Sequence, residues 1–344
     1  MNRLMIWSVF ILICSTCFFC GCFDPESKQS TTRRTWIVGS KEQADFTSIQ
    51  QAINTASQND IIQIQPGIYS ELIIISKSIT IHGQNQSRVT ITPPKNNNEN
   101  NQIISVTADD CNISNLIIKS TPQIKNNSIT GLYCNSSNNV FNNLSIINCN
   151  YGIHCTKGLY SKKEIDEISE KTKTQPNPPN ENNIFTNINC SYCSIGIRFS
   201  MTNNHSVSNS SFHWNNETGL ICRDFSENIQ IKNNTFLHNQ KGIHLKGVEQ
   251  NTISFNRFEK NTIGVYLCCH AINNSIFQND FIRNNETHAF PYENNNWYLN
   301  KKGNYWDDYA FIDKDLNGIG DQPYNISSDD SIQDLYPLMN PTSS

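Results

Sequence analysis

Between residues 130 and 290 the apolar positions fall in short alternating runs, and the runs repeat. The phrase Gly-apolar-X-apolar occurs at Gly131-Leu132-Tyr133-Cys134, Gly152-Ile153-His154-Cys155 and Gly196-Ile197-Arg198-Phe199. It recurs at Gly219-Leu220-Ile221-Cys222, Gly242-Ile243-His244-Leu245 and Gly264-Val265-Tyr266-Leu267. Alternation with period two predicts strand. The glycines lie 21, 44, 23, 23 and 22 residues apart, so one unit is about 22 residues and the 44 spans a unit plus an insertion.

A second phrase, Asn-X-Phe-X-X-Asn, precedes the glycine in Asn234–Asn239, Asn256–Asn261 and Asn279–Asn284, with a degenerate copy at Ser210–Asn215. Strands this short cannot bury a face alone, whereas stacked copies share a continuous core. The pattern predicts an all-β parallel β-helix; a leucine-rich repeat of similar period lacks its Leu-X-X-Leu-X-Leu signature here. Positions one and three after each glycine should form internal ladders: Leu132, Ile153, Ile197, Leu220, Ile243 and Val265, then Cys134, Cys155, Phe199, Cys222, Leu245 and Leu267. Asn239, Asn261 and Asn284 should form an asparagine ladder in a turn, which satisfies polar groups otherwise buried unpaired. Cys134 and Cys155 should stack one strand spacing apart, within reach of a disulfide.

The ends break the pattern. Asp45 to Ile53 reads as a short amphipathic helix covering the open strand edge of the first coil, which would otherwise aggregate. Tyr305 and Trp306 should cap the other end. The expected layout is an export segment over 1–22, a polar linker over 23–35, the β-helix over 36–302 with an insertion at 157–182, and a C-terminal cap over 303–344.

Composition narrows the function. Only 16% of residues are charged and the formal net charge is −4, which argues against a nucleic-acid partner. The apolar run Leu4 to Phe19 follows Arg3 and is short for a membrane span. It ends at Gly21-Cys22, where Cys22 is the expected lipidation site; an uncleaved anchor helix is the alternative. Either way the rest of the chain lies outside the cytoplasm, with a membrane anchor. Nine of the 13 cysteines follow Cys22, an odd number, so at least one is unpaired within the chain.

The opening FTSIQQAINTASQNDIIQIQPGIYSELIIISKSITIHG, residues 46–83, resembles that of pectin-lyase-like β-helices of the carbohydrate-binding and sugar-hydrolysis type. The coils, with the ending GNYWDDY (303–309), DKDLNGIGDQPY (313–324) and DLYPL (334–338), look like NosD-type proteins. The resemblance implies a right-handed, single-stranded parallel β-helix, such as is abundant on archaeal cell surfaces, and carries a label of periplasmic copper binding.

Lyases and hydrolases on such a fold need clustered acids with Arg or Lys. Here Glu217, Asp224, Glu227, Glu249, Glu259, Asp280 and Glu286 are sparse, and no two are expected at matching outward positions of adjacent coils. No catalytic residues are assigned. Instead, Tyr133, His154, Arg198, Ile221, His244 and Tyr266, two after each glycine, and Asn135, Thr156, Ser200, Arg223, Lys246 and Cys268, four after, should form two exterior columns. Aromatic rings stack on sugars and cations suit uronates or sulfates, so Tyr133, His154, Arg198, Arg223, His244, Lys246 and Tyr266 make a candidate glycan-binding face; the plain alternative is an ordinary solvated surface. A cell-envelope polysaccharide is the expected partner, with a lyase or hydrolase and a copper accessory protein as the alternatives. Copper would want converging Cys and His, and Cys268, Cys269 and His270 are the candidates; Cys190 falls at the register of inward Phe236 and Phe258, and Cys149 and Cys193 at that of Asn239 and Asn261, where they replace ladder asparagines. Asp313, Asp315, Asn317, Ile319 and Asp321, with Gly318 at the sixth position, follow the calcium-loop pattern without its closing glutamate. Affinity should therefore be modest, unless Asp329 and Asp330 complete the shell; the plain alternative is a hydrated turn.

Overall fold

The computed structural model describes residues 33–342 apart from 41, 43, 86–87, 96–100, 121–128 and 158–179. Cys22, the export segment and most of the insertion lie outside the described residues. The chain winds as a right-handed parallel β-helix. A 17-stranded sheet and a nine-stranded sheet are formed by stacked coils, all paired parallel in register. Among the described residues, no helix is long and apolar enough to cross a membrane.

Both predicted internal ladders are present and fully buried, from Leu132 to Val265 and from Cys134 to Leu267. Beside them Phe212, Phe236, Phe258 and Phe281 stack at 5.0–5.1 Å between ring centroids. The two phrases of the repeat are one packing unit. A Cβ on Gly242 would stand 2.5 Å from the Gly264 carbonyl oxygen and 2.7 Å from Cδ1 of Phe258. Only glycine lets the next coil and its phenylalanine ring approach that closely. On the last coil that constraint lapses, and the register of Gly264 is taken by His288.

Among the described residues the asparagine ladders include three long buried runs along the turns, where one was expected. In the expected one, Asn215, Asn239 and Asn261 each donate from Nδ2 to Oδ1 of the next residue, ending on Asn284, at 2.9–3.1 Å. Asn234, Asn256, Asn279 and Asn304 form a second at 3.0 Å per step. Asn251, Asn274 and Asn295 form a third at 2.9–3.0 Å. Each amide both accepts and donates along its ladder, and the second ladder ends on a group that, as a carboxylate, only accepts. Asp334 is that group in the second ladder: its carboxylate takes the Asn304 N–H at 2.6 Å and the Trp306 indole N–H at 3.0 Å. Burial pushes its pKa up to about 6 despite those donors.

Both ends are covered. The helix Ile49–Thr55 starts later than its sequence pattern suggests, because Ser48 caps it and the Glu71 carboxylate takes the Ile49 and Gln50 N–H groups at 3.0 Å. Ile49, Ala52 and Ile53 are buried beneath it. At the other end Trp306 lies between Phe281 and Tyr324, 4.3 Å from each. Parallel pairing starts at Thr35 and continues through Trp306, and Asn180 is already back in the coil, donating to the Cys134 carbonyl.

Candidate functional site

The row two after the glycines is continuous on the nine-stranded sheet: Tyr133, His154, Arg198, Ile221, His244, Tyr266 and Phe290 are strand neighbours. It is less exposed than expected. Tyr133 and Ile221 are 6% exposed, and in the adjoining column Thr156 and Ser200 are buried, so this strip, called the trough below, is largely shielded from solvent. Outward alternation alone does not set exposure; large neighbours shade each other. Tyr133 meets His154 at 5.7 Å, His244 meets Tyr266 at 5.0 Å, and Tyr266 stacks on half-exposed Phe290 at 5.0 Å.

The trough is cationic. Arg198 lies 5.2 Å from the Tyr151 ring centroid and donates to its hydroxyl, while its Nε–H is buried with no acceptor among the described residues. Lys241 sits 5.4 Å from the Tyr266 ring. Arg223 pairs with Asp224 at 2.6 Å, and Ser200 also donates to that carboxylate. Burial, aided by Arg198 and Arg223, pushes His154 down to about 3; burial and then Lys241, Lys246 and Arg223 push His244 down to about 4. Both imidazoles are therefore neutral near pH 7, and the positive charge comes from Arg and Lys.

One expectation about acids is corrected. Glu227 and Glu249 do occupy matching positions on adjacent coils, each preceding a left-handed residue of one turn row, Asn228 and Gln250. Burial raises the Glu227 pKa and the Glu249 charge raises it further. Next to them Asn204, His205, Ser206, Asn228, Gln230, Gln250 and Thr252 line a shallow cavity of about 340 Å³. This turn carries no glycine or phenylalanine marker in the repeat, so the alignment was not visible in sequence.

Two clusters bring three candidate metal ligands within 4.8 Å of one another among the described residues: Asp313–Asp315–Asp321 and His288–Asp307–Asp308. The first is the predicted calcium loop. Gly318 takes φ +84° and donates its N–H to Asp313 at 2.8 Å, and Asn317 Nδ2 donates to Asp315 at 2.8 Å. The Asn317 side-chain oxygen is occupied by the Ile319 N–H at 2.7 Å. Asp329 does not complete this shell; it accepts from Ser331 within its own turn. The second cluster was not anticipated. His288 Nε2 lies 2.9 Å from Asp307 and 3.4 Å from Asp308, and Tyr324 donates to Asp308 at 3.2 Å. Its His occupies a glycine register, which disguised it.

The copper candidates do not converge as a trio. Cys268 is half-buried and turns to His244, with Sγ to Nε2 at 3.3 Å, while Cys269 is exposed and, among the described residues, neither it nor His270 joins a three-ligand group. Cys134 and Cys155 stack in register as expected but are free thiols, as are Cys149 and Cys193. Cys190 pairs with Phe212, a core position, and the Cys193 N–H donates to Asn215 at the head of the first ladder.

A family model described as "Periplasmic copper-binding protein (NosD)" matches residues 177–310. Curated relatives include a "Probable ABC transporter binding protein NosD" of Stutzerimonas stutzeri, 34% identical over 89 residues, covering 25% of this chain and 20% of that protein. Its counterpart in Pseudomonas aeruginosa is 33% identical over 89 residues, 25% of this chain and 21% of that protein. The chain thus spans about a fifth of the length of the curated relatives it matches. Similar solved structures include pectin methylesterase from carrot, with TM-score 0.54, 12% identity, and coverage of 79% of this chain and 90% of that one. The Dettilon tailspike protein aligns with TM-score 0.52 and 13% identity over 79% of this chain and 61% of that one. At such identities the likeness speaks for the fold.

Proposed function

We propose that this NosD-like, pectin-lyase-like parallel β-helix is an extracytoplasmic protein, membrane-anchored through Cys22, that binds an extended acidic glycan without converting it. The observation that carries the reading is the in-register trough from Tyr133 to Phe290. It offers aromatic rings, neutral imidazoles that hydrogen-bond sugar hydroxyls, and the cations Arg198, Arg223, Lys241 and Lys246, with Asp224 paired to Arg223. Successive coils repeat at about 4.8 Å, commensurate with a chain of sugar rings. Oligogalacturonate titrated calorimetrically into the protein is expected to bind, and Arg198→Gln with Lys246→Gln to weaken that binding. Equal affinity in the double variant would sink the assignment of this face. The extracytoplasmic location draws support from the NosD likeness and the apolar N-terminal run. The Asp313–Asp321 loop is proposed to hold a calcium ion that orders the C-terminal cap.

A copper-related role is the second reading, favoured by the family description and by the His244–Cys268 pair at 3.3 Å. Soft thiolate with imidazole suits Cu(I). Competition of the purified protein with a Cu(I) chelator tests it, and Cys268→Ser should abolish binding. Unchanged copper retention in that variant would remove this pair from consideration.

A further inference from the structure

Every coil must pass through left-handed backbone at its turns, and the residues filling those positions differ sharply between rows. One row is Asn115, Asn143, Asn187, Asn209, Asn233, Phe255 and Gln278; another is Asn138, Asn182, Asn204, Asn228, Gln250, Asn273 and Asn294. Asparagine is the expected choice, because its short side chain satisfies left-handed backbone locally. A third row follows the phenylalanine strand: Asn148, Tyr192, Trp214, His238, Lys260 and Arg283, with φ between 49° and 59°. Backbone bonds tie it together, as in Trp214 N–H to Leu237 O at 3.1 Å and His238 N–H to Glu259 O at 3.2 Å. Only its first member is asparagine. Bulky aromatic and cationic side chains stand where the backbone disfavours them, and strained positions of this kind accompany function.

These side chains do not serve the core. Tyr192 is 57% exposed and Trp214 47%. His238 lies flat on Trp214, centroids 4.1 Å apart and planes 16° apart. Farther down the helix Arg257, Lys260 and Arg283 surround Glu259 at 2.8, 3.8 and 2.6 Å, and the Arg283 backbone N–H meets the Asp307 carboxylate at 2.8 Å, so three cations face two carboxylates. The ridge is therefore aromatic at one end and cationic at the other, one residue per coil.

We infer that the ridge Tyr192–Trp214–His238–Lys260–Arg283 is a second binding platform for an acidic polysaccharide running parallel to the helix axis, with rings stacking on Tyr192 and Trp214 and uronate carboxylates meeting Lys260 and Arg283. The inference rests on the reading of this protein as a glycan binder but concerns a different face from the trough. Because asparagine suits the backbone here, substitution to asparagine removes the ligand group without harming the fold.

The test uses the full chain with polygalacturonate and, as a neutral glycan, dextran, following Trp fluorescence and affinity electrophoresis. Trp214→Asn and Tyr192→Asn are expected to weaken polygalacturonate binding at least about fivefold each, the worth of one aromatic stacking contact, with melting temperature unchanged or higher. Lys260→Asn and Arg283→Asn should weaken polygalacturonate but not dextran. Wild-type affinity in both aromatic variants, while His244→Ala weakens binding, would overturn the ridge and leave the trough standing. Equal loss of both glycans in the cation variants would overturn the acidic assignment, and wild-type protein that binds neither glycan would overturn ridge and trough together.

Discussion

Replacing Asn256 by alanine tests the architecture at its most constrained point. Its Oδ1 accepts the Asn234 backbone N–H and side-chain Nδ2, both at 3.0 Å, and its own Nδ2 donates to the Ile231 carbonyl at 2.8 Å and to Ser254 O and Asn279 Oδ1 at 3.0 Å. The side chain is wholly buried. Truncation strands two donors on Asn234 and removes one proton donor from three acceptors. Carbonyls with strand partners tolerate that loss better than orphaned N–H groups, each of which costs about 1–3 kcal/mol. A loss of roughly 4 kcal/mol is expected, read as the shift in urea midpoint multiplied by the slope. The neighbouring Asn233, exposed and left-handed at φ 56°, should cost only about 1 kcal/mol as alanine. Asn256→Asp is the sharper arm. It keeps the acceptor for Asn234 but turns a carboxylate onto three acceptors, so its carboxyl pKa is raised in the fold and stability should recover as pH falls. Should Asn256→Ala lose under about 1 kcal/mol, or Asn256→Asp be indifferent to pH, the ladders do not carry the stability assigned to them.

Asp334 should behave oppositely to a salt-bridged acid. With its folded pKa raised to about 6, its contribution is full below about 4 and is lost as pH rises through 6; relative to Asp334→Asn, wild type should therefore gain on the order of 3 kcal/mol between pH 7 and pH 4, and parallel pH-stability curves for the two proteins would contradict the burial argument. Gly242→Ala puts a methyl 2.5 Å from the Gly264 carbonyl and should destabilise by about 1–3 kcal/mol in the same denaturation assay; a neutral result would mean the coils separate easily. For the Asp313–Asp321 loop, thermal melting should shift upward with calcium and downward with chelator, by an amount equivalent to about 2.7 kcal/mol at a hundredfold excess of ion over Kd, and Asp315→Ala should erase the difference; identical melting in calcium and chelator leaves a plain turn.

The fold was legible because two markers recur through the central coils. Glycine is required where Gly264 O and Phe258 crowd Gly242, and in these coils phenylalanine precedes the glycine by six or seven residues, so register could be counted directly. The extra asparagine ladders were not legible. A buried ladder residue such as Asn256 and an exposed left-handed one such as Asn233 are the same letter, and only the three-dimensional turn separates them. Likewise the pairing of Glu227 with Glu249 sits in a turn without a marker, and the recession of Tyr133 depends on side chains from neighbouring coils. The calcium-type loop was readable because its ligands are local in sequence, whereas His288, Asp307 and Asp308 meet only through coil stacking.

The most direct test of the proposed function is calorimetric titration of oligogalacturonate into wild type and into His244→Ala with Tyr266→Ala. The trough reading predicts measurable binding by the wild type, weakened at least about tenfold in the double variant while the melting temperature stays close to wild type. A folded wild-type protein that releases no heat and retains no acidic glycan would contradict it.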